Sequence, residues 1–235
     1  MLEIHTVATT ASTNADMIAL AAEGAEEGLW LRAVTQTAGR GRLGRDWASP
    51  AGNLDASSLV RLRPADPASA TLALAAAVAL HETLAAWGAT PVIKWPNDLL
   101  VGGAKISGIL LERSGAAIIV GIGVNLAEHP AGLDRPVTSM AALGLGAPDP
   151  ALFLADLAEA FARWLGVWRS GLEPVRRAWL VRAHPTGTPL SVKLPGDGVF
   201  DGLFDGLEAD GALRLRLAGG DVQVIHVGDV FMIDG

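Results

Sequence analysis

Residues 39–54 read G-R-G-R-L-G-R-D-W-A-S-P-A-G-N-L, with Arg40, Arg42 and Arg45 set among Gly39, Gly41 and Gly44 and no acid before Asp46. Arginine presents a planar, permanently charged fork that matches carboxylate and phosphate oxygens. Glycine loses the most entropy on ordering, so a Gly/Arg segment is expected to be loose when empty. Together these properties fit a loop that closes over an anionic small molecule. The same residues would also make a solvated basic turn.

A second cluster runs from Lys94-Trp95-Pro96-Asn97-Asp98 through Gly103-Ala104-Lys105-Ile106-Ser107-Gly108-Ile109-Leu110-Leu111-Glu112. Pro96 fixes a turn that Asn97 and Asp98 can cap, which is the plain structural use of these residues. Their chemical use puts the Asp98 carboxylate beside a divalent metal or a reacting group. Gly102-Gly103 suits a tight hairpin, which brings Lys105 from the adjacent strand toward the same pocket. The chain has 15 arginines but only 3 lysines, and two of the lysines, Lys94 and Lys105, fall in this cluster. A sequence that defaults to arginine is expected to keep lysine where a compact ammonium is needed.

Two further groups are weaker signals. In Gly121-Ile122-Gly123-Val124-Asn125, glycines near a strand end admit a ligand to the backbone, and Asn125 offers both donor and acceptor. Ser12-Thr13-Asn14 serves as a helix cap, as a set of ligand contacts, or as both.

Other chemistries are excluded or disfavoured. With no cysteine, disulfides, thiolate nucleophiles and Cys-type zinc sites are ruled out. The five histidines are scattered without a metal-ligand spacing. Neither a Gly-x-Ser-x-Gly elbow nor a phosphate-binding G-x-x-x-x-G-K-[ST] loop is present. The net charge of −7 argues against a surface built for non-specific DNA binding. The first residues lack the basic and apolar regions of a signal peptide, and the apolar run Leu72–Leu80 is short for a bilayer. A soluble cytoplasmic protein, without membrane association, is expected.

The elements that must carry these residues follow from periodicity. Strands are expected over Glu3–Val7, Leu29–Gln36, Leu54–Leu62, Pro91–Trp95, Leu99–Val101, Lys105–Glu112 and Ala117–Val124. Helices are expected over Ala15–Ala22, Ala68–Trp87, Leu152–Trp168 and Pro174–Ala183, with 127–150 irregular. From about Thr186, β-type runs at Pro189–Leu194, Gly198–Leu207, Ala212–Leu217 and Val222–Val227 alternate with Gly/Asp turns. The pattern predicts an α+β body, residues 1–184, followed by a small β-barrel, residues 185–235.

The order and spacing of the motifs closely resemble biotin–protein ligases. The likeness covers roughly residues 8–126 and rests on Ser12-Thr13-Asn14, Gln36 with the Gly/Arg run, K-W-P-N-D, G-A-K-I-S-G-I-L-L-E and G-I-G-V-N-L. It implies a mixed central β-sheet with helices, of the class II aminoacyl-tRNA-synthetase-like kind, plus an SH3-like C-terminal barrel. It also implies two reactions: ATP and biotin give biotinyl-5′-AMP, which then acylates a lysine of a biotin carboxyl carrier protein. By resemblance, Ser12, Thr13, Asn14, Gln36, Arg40, Gly41, Arg42 and Lys105 contact biotin, while Arg42, Trp47, Asn97 and Asn125 contact the nucleotide. Lys105, Asp98 and Arg42 are the implied catalytic groups, and Asp98 the implied Mg²⁺ ligand.

Some members of that family carry an N-terminal DNA-binding helix-turn-helix. Here the first motif begins by residue 12, so the ligase-only group, without DNA binding, is expected. Monomer and homodimer both remain open. A lipoate ligase and a non-catalytic biotin-binding regulator are the alternatives. The retained Asp98 and Lys105 speak against the regulator. Asp55 departs from the pattern, because an apolar or aromatic strand residue is expected after Gly52-Asn53-Leu54.

Overall fold

The computed structural model describes residues 3–133, 135–195 and 198–233. A seven-stranded sheet has the order β1-β2-β3-β7-β6-β5-β4. Its strands are β1 (Glu3–Thr10), β2 (Leu29–Gln36), β3 (Leu54–Arg61), β4 (Val92–Lys94), β5 (Asp98–Val101), β6 (Ala104–Ser114) and β7 (Ala117–Val124). The β1–β2 pair is parallel and the other pairings are antiparallel, which makes the sheet mixed, as expected. Gly102 and Gly103, at φ 57° and 80°, turn β5 back into β6, a left-handed backbone that glycine adopts without a Cβ penalty.

The two faces of this sheet are covered differently, and strand alternation sorts the side chains between them. On one face lie α2 (Leu72–Ala86), α3 (Pro150–Arg169) and α4 (Leu172–Arg182). Trp30, Leu54, Ala56, Val60, Val120 and Ile122 point into the main core on that side. On the other face α1 (Thr13–Ala22) packs Met17 and Ala21 on Leu29, Leu31, Leu59 and Ile119. The expected helix over Ala68–Trp87 is a 3-10 turn, Ser69–Thr71, leading into α2. By length and composition Ser69–Ala86 is apolar enough to cross a membrane, but its Ala/Leu surface is buried between the sheet, α3 and α4. It is the core helix of this fold. Asp149 starts α3 by accepting from Ala151 N at 2.7 Å, with Pro150 in the first turn.

The C-terminal part is a five-stranded antiparallel, barrel-like sheet, ordered β11-β10-β9-β8-β12. It comprises β8 (Pro189–Lys193), β9 (Val199–Leu207), β10 (Leu213–Arg216), β11 (Val222–Ile225) and β12 (Asp229–Met232). Four of these match the expected runs; β12 was not foreseen. Leu190, Phe204, Leu215 and Val230 join the main core, and Trp179 of α4 meets Phe204 at 6.3 Å between ring centroids. The two sheets therefore share one apolar interior.

Candidate active site

A cavity of about 590 Å³, the size of a small-molecule site, opens on the α1 face of the large sheet. Alternation decides its floor. Because Leu54 and Ala56 face the main core, Asp55 and Ser57 turn the other way, and the same phase on β7 presents Gly121 and Gly123. A Cβ on Gly121 would overlap the Asn14 amide, and one on Gly123 would overlap the Trp47 indole. Glycine is thus required at both positions by close approach, but the approaching groups are the protein's own side chains.

One end of the cavity is a hydrogen-bonding cradle of hydroxyl and amide side chains at the start of α1, with Glu112, Arg40 and Asp55 at its margin. Thr13 donates to Gln36 Oε1 from its backbone N at 2.8 Å and from its hydroxyl at 3.2 Å, and Gln36 Nε2 donates to Ser49 at 3.1 Å. The Ser57 hydroxyl lies 2.7 Å from Thr13 Oγ1 and 2.5 Å from Asn14 Oδ1. Asn14 donates to Glu112 at 2.7 Å, and Glu112 also pairs with Arg40 at 3.4 Å. Ser12 stands at the N-cap position of α1 yet makes no side-chain capping bond, and it lines the cavity. Its expected use as a cap is not realised.

The other end is ionic. Lys105 Nζ sits 2.5 Å from one oxygen of Asp98, and Lys94 Nζ sits 3.3 Å from the other. Burial pushes the Asp98 carboxyl upward, but the two ammoniums outweigh it and hold the group below its usual range. Burial also pulls the Lys105 ammonium below its usual range, and Asp98 opposes that fall. Arg42 donates to Asn97 Oδ1 at 3.3 Å and to the Gly228 carbonyl at 3.4 Å, while Asn97 Nδ2 is held by the Ile109 carbonyl at 2.6 Å.

The Gly/Arg segment closes over both ends. Trp47 N donates to the Gly39 carbonyl at 2.9 Å and Gly41 N to the Arg45 carbonyl at 2.7 Å, which pinches 39–47 into a tight loop. Leu43 at its tip has φ 57°, a left-handed conformation that costs a leucine roughly 1–2 kcal/mol. Arg45 anchors the loop to Asp229 at 2.8 Å, and Lys94 donates to the Val230 carbonyl at 2.9 Å. Strand β12 therefore forms part of the cavity wall.

Ser12, Thr13, Asn14, Gln36, Arg40, Gly41, Arg42, Trp47, Asn97, Asp98 and Lys105 all line one cavity, as a shared site requires. Two expectations need correction. Asn125 is buried behind the wall, donating to the Thr138 carbonyl at 3.0 Å, so it supports the 136–140 segment and does not face a nucleotide. Asp98 is not arranged as a metal ligand, because both its oxygens are taken by lysines. Among the described residues no group of three or more His, Cys, Asp or Glu could hold an ion.

The sequence reading missed Asp55, Glu112, Lys94 and the β12 backbone as parts of the site. Period-two alternation from Leu54 would have placed Asp55 in phase with Ser57. The scarcity of lysine marked Lys94 without giving it a role. Nothing local pointed to β12.

A mixed sheet bearing a lidded, cation-rich pocket with a hydroxyl- and amide-lined cradle, closed by a barrel-like sheet, defines the class. The chain belongs to the biotin/lipoate A/B protein ligase family, whose profile matches residues 8–126. The biotin protein ligase C-terminal domain profile matches residues 189–232. Within the family, biotin–[acetyl-CoA-carboxylase] ligase of Paracoccus denitrificans is 43% identical over 240 residues, covering 96% of this chain and 98% of that protein. The enzyme of the same name from Mycobacterium tuberculosis is 36% identical, covering 97% and 88%. Biotin protein ligase from Aquifex aeolicus, solved with biotin and ATP, superposes with a TM-score of 0.88 over 100% of both chains at 24% identity and shares the fold.

Proposed function

We propose that this chain activates biotin with ATP to biotinyl-5′-AMP and transfers the biotinyl group to a lysine of a biotin carboxyl carrier domain. The observation that carries the proposal is the polarity of the cavity. A cradle of hydroxyl and amide side chains suited to a ureido head lies at one end, and Lys105, Lys94 and Arg42 gather at the other, where two anions must meet. In the first step a biotin carboxylate oxygen attacks the α-phosphorus, the bond to the β-phosphate breaks, and pyrophosphate leaves with the electron pair. In the second, a neutral carrier lysine attacks the anhydride carbonyl, the carbon–oxygen bond to AMP breaks, and the nitrogen gives up a proton to leave an amide.

The chain's own groups suit these steps. Lys105, fixed by Asp98, would offset the repulsion between carboxylate and phosphate and stabilise the charge that develops between them. Arg42, braced by Asn97 and the Gly228 carbonyl, would hold the phosphate side. The loop would shield the anhydride from water while it waits for the carrier. Mg²⁺, in this reading, belongs to the triphosphate and not to a protein cage. Residues 1–184 supply the pocket and 185–235 close it through β12. The reaction needs neither DNA nor a membrane, suits the cytoplasm, and is indifferent to whether the protein is a monomer or a homodimer.

Biotin-dependent ATP–pyrophosphate exchange with Mg²⁺, run beside lipoate, tests the proposal. Exchange with biotin alone supports it. Exchange with lipoate alone moves the chain to the other branch of its family, and biotin binding without exchange makes it a sensor. Arg42→Ala is expected to shorten retention of the adenylate roughly tenfold, the loss of a charge-assisted bond. Unchanged retention in a filter-binding chase would remove Arg42 from the phosphate side.

A further inference from the structure

Asp55 is a carboxylate at a strand position where the sequence pattern calls for an apolar side chain. It is 1% exposed on β3, flanked by Ala33 on β2 and Gly123 on β7, and none of its expected neighbours neutralises it. One oxygen accepts from Trp47 Nε1 at 2.9 Å, and the other has no hydrogen-bond partner. The indole it holds lies flat against Gly123, where a Cβ would overlap the ring, and reaches Gly108 on β6. On its other side the Lys105 ammonium stands 5.7 Å from the ring centroid. Trp47 is the last residue of the pinched loop, whose N–H also closes on Gly39.

We infer that Asp55 is a positioning residue for the reaction proposed above: through the Trp47 indole it latches the Gly/Arg loop shut and fixes the wall beside Lys105. The inference rests on that functional reading for its consequence, but the latch itself is a property of this chain. Ionised carboxylate to N–H is the strong form of the bond, and the neutral acid accepts more weakly. The groups acting on the carboxyl are Trp47 and Ser49 from the loop and Gln36 from β2, all uncharged. The start of α1 contributes the neutral Ser12, Thr13 and Asn14, while Glu112 of β6 is already tied to Asn14 and Arg40. Burial, only partly opposed by the Trp47 bond and by the nearby Ser49 and Gln36, raises the Asp55 pKa to about 6. The latch is therefore strong above pH 6 and loosens as the pH falls through it. Fold stability runs the other way. A raised carboxyl pKa adds stability in the protonated state, which is lost as the pH rises through about 6.

The test uses the full chain and the variants Asp55→Asn, Asp55→Ala, Trp47→Phe and Asp55→Ala/Trp47→Phe. The readouts are trypsin cleavage after Arg40, Arg42 and Arg45, the release rate of biotinyl-5′-AMP, and thermal unfolding at pH 8 and pH 5.5. Each single variant should raise loop cleavage and adenylate release roughly tenfold at pH 8, and the double variant should be no worse than either single one. Wild type should converge on Asp55→Asn at pH 5.5. Asp55→Asn should melt no lower than wild type at pH 8, which a merely structural role would not give. Unchanged cleavage in Asp55→Ala, or additive effects in the double variant, overturns the latch. Cleavage is read without substrate, so absence of adenylation in wild type would reject the functional proposal and leave the latch result standing. If Asp55→Ala fails to fold, Asp55→Asn and Trp47→Phe carry the same comparison, and an Asp55→Asn that melts lower overturns it.

Discussion

Lys105→Ala is expected to lower biotin-dependent pyrophosphate exchange by about 10²–10³-fold, the loss typical of one preorganised charge-stabilising donor. The residue leaves the β5–β6 hairpin only 15% exposed in its side chain, so its ammonium acts in a site from which water is largely excluded. Its partner is fixed as well: Asp98 holds it at 2.5 Å and Lys94 braces the other oxygen, so little reorganisation is left for the moment of reaction. The variant should stay folded, because Lys94 remains to pair with the buried carboxylate. Arginine is not expected to rescue it. A guanidinium fork is larger, and the space beside Gly108 is already so narrow that a Cβ there would crowd the lysine stem and ammonium. Exchange assays paired with thermal melts decide the matter. A folded variant at full rate would remove Lys105 from the chemistry, whereas one whose loss follows its unfolding would reduce the residue to a structural role.

Most of what the motifs carried was legible because it is local. The hairpin at Gly102-Gly103 is written in two glycines, β2 in its alternation, β7 in its apolar run, and the loop in its Gly/Arg pattern. Those features are enough to put Asp98 and Lys105 on neighbouring strands. What escaped is long-range or depends on what covers a face. Alternation says which way Asp55 points relative to Ser57, but not that Trp47 lies over it. β12 is four residues long and pairs with β8 far back in the chain, and the contacts of Gly228, just before it, with Arg42 and of Asp229 with Arg45 span 186 and 184 positions. No periodicity encodes such a distance. Asn125 failed for a third reason. An amide at a strand end serves a ligand or a neighbouring carbonyl equally well, and only the path of residues 136–140 chooses between them. Asp98 was misread in its partner: a carboxylate between two lysines at positions 94 and 105 is an ion-pair cluster, which the lysine count had already hinted at.

That cluster sets the second large effect. Asp98→Ala would leave the Lys94 and Lys105 ammoniums facing each other in a mostly buried site, and breaking such a pair costs about 3–5 kcal/mol. The loss should reach beyond the hairpin, because Lys94 also donates to the Val230 carbonyl and so ties β4 to β12. Asp98→Asn keeps the volume and separates the two contributions. Since Asp98 is the group that opposes the burial-driven fall of the Lys105 pKa, its removal lets that pKa fall further. Lys105 would then lose its proton at a lower pH, and the alkaline limb of the exchange profile should move toward neutrality. In the native protein the depressed Asp98 pKa gives the opposite signature. Its stabilisation is present above the ordinary carboxylate range and disappears as the pH falls through the folded value. Adding Lys94→Met to Asp98→Asn removes one of the opposed charges, so stability should partly return while exchange stays low. Recovery of both together would mean that Asp98 serves the fold alone. Recovery of stability without rate would show that the carboxylate is kept because it holds Lys105 charged.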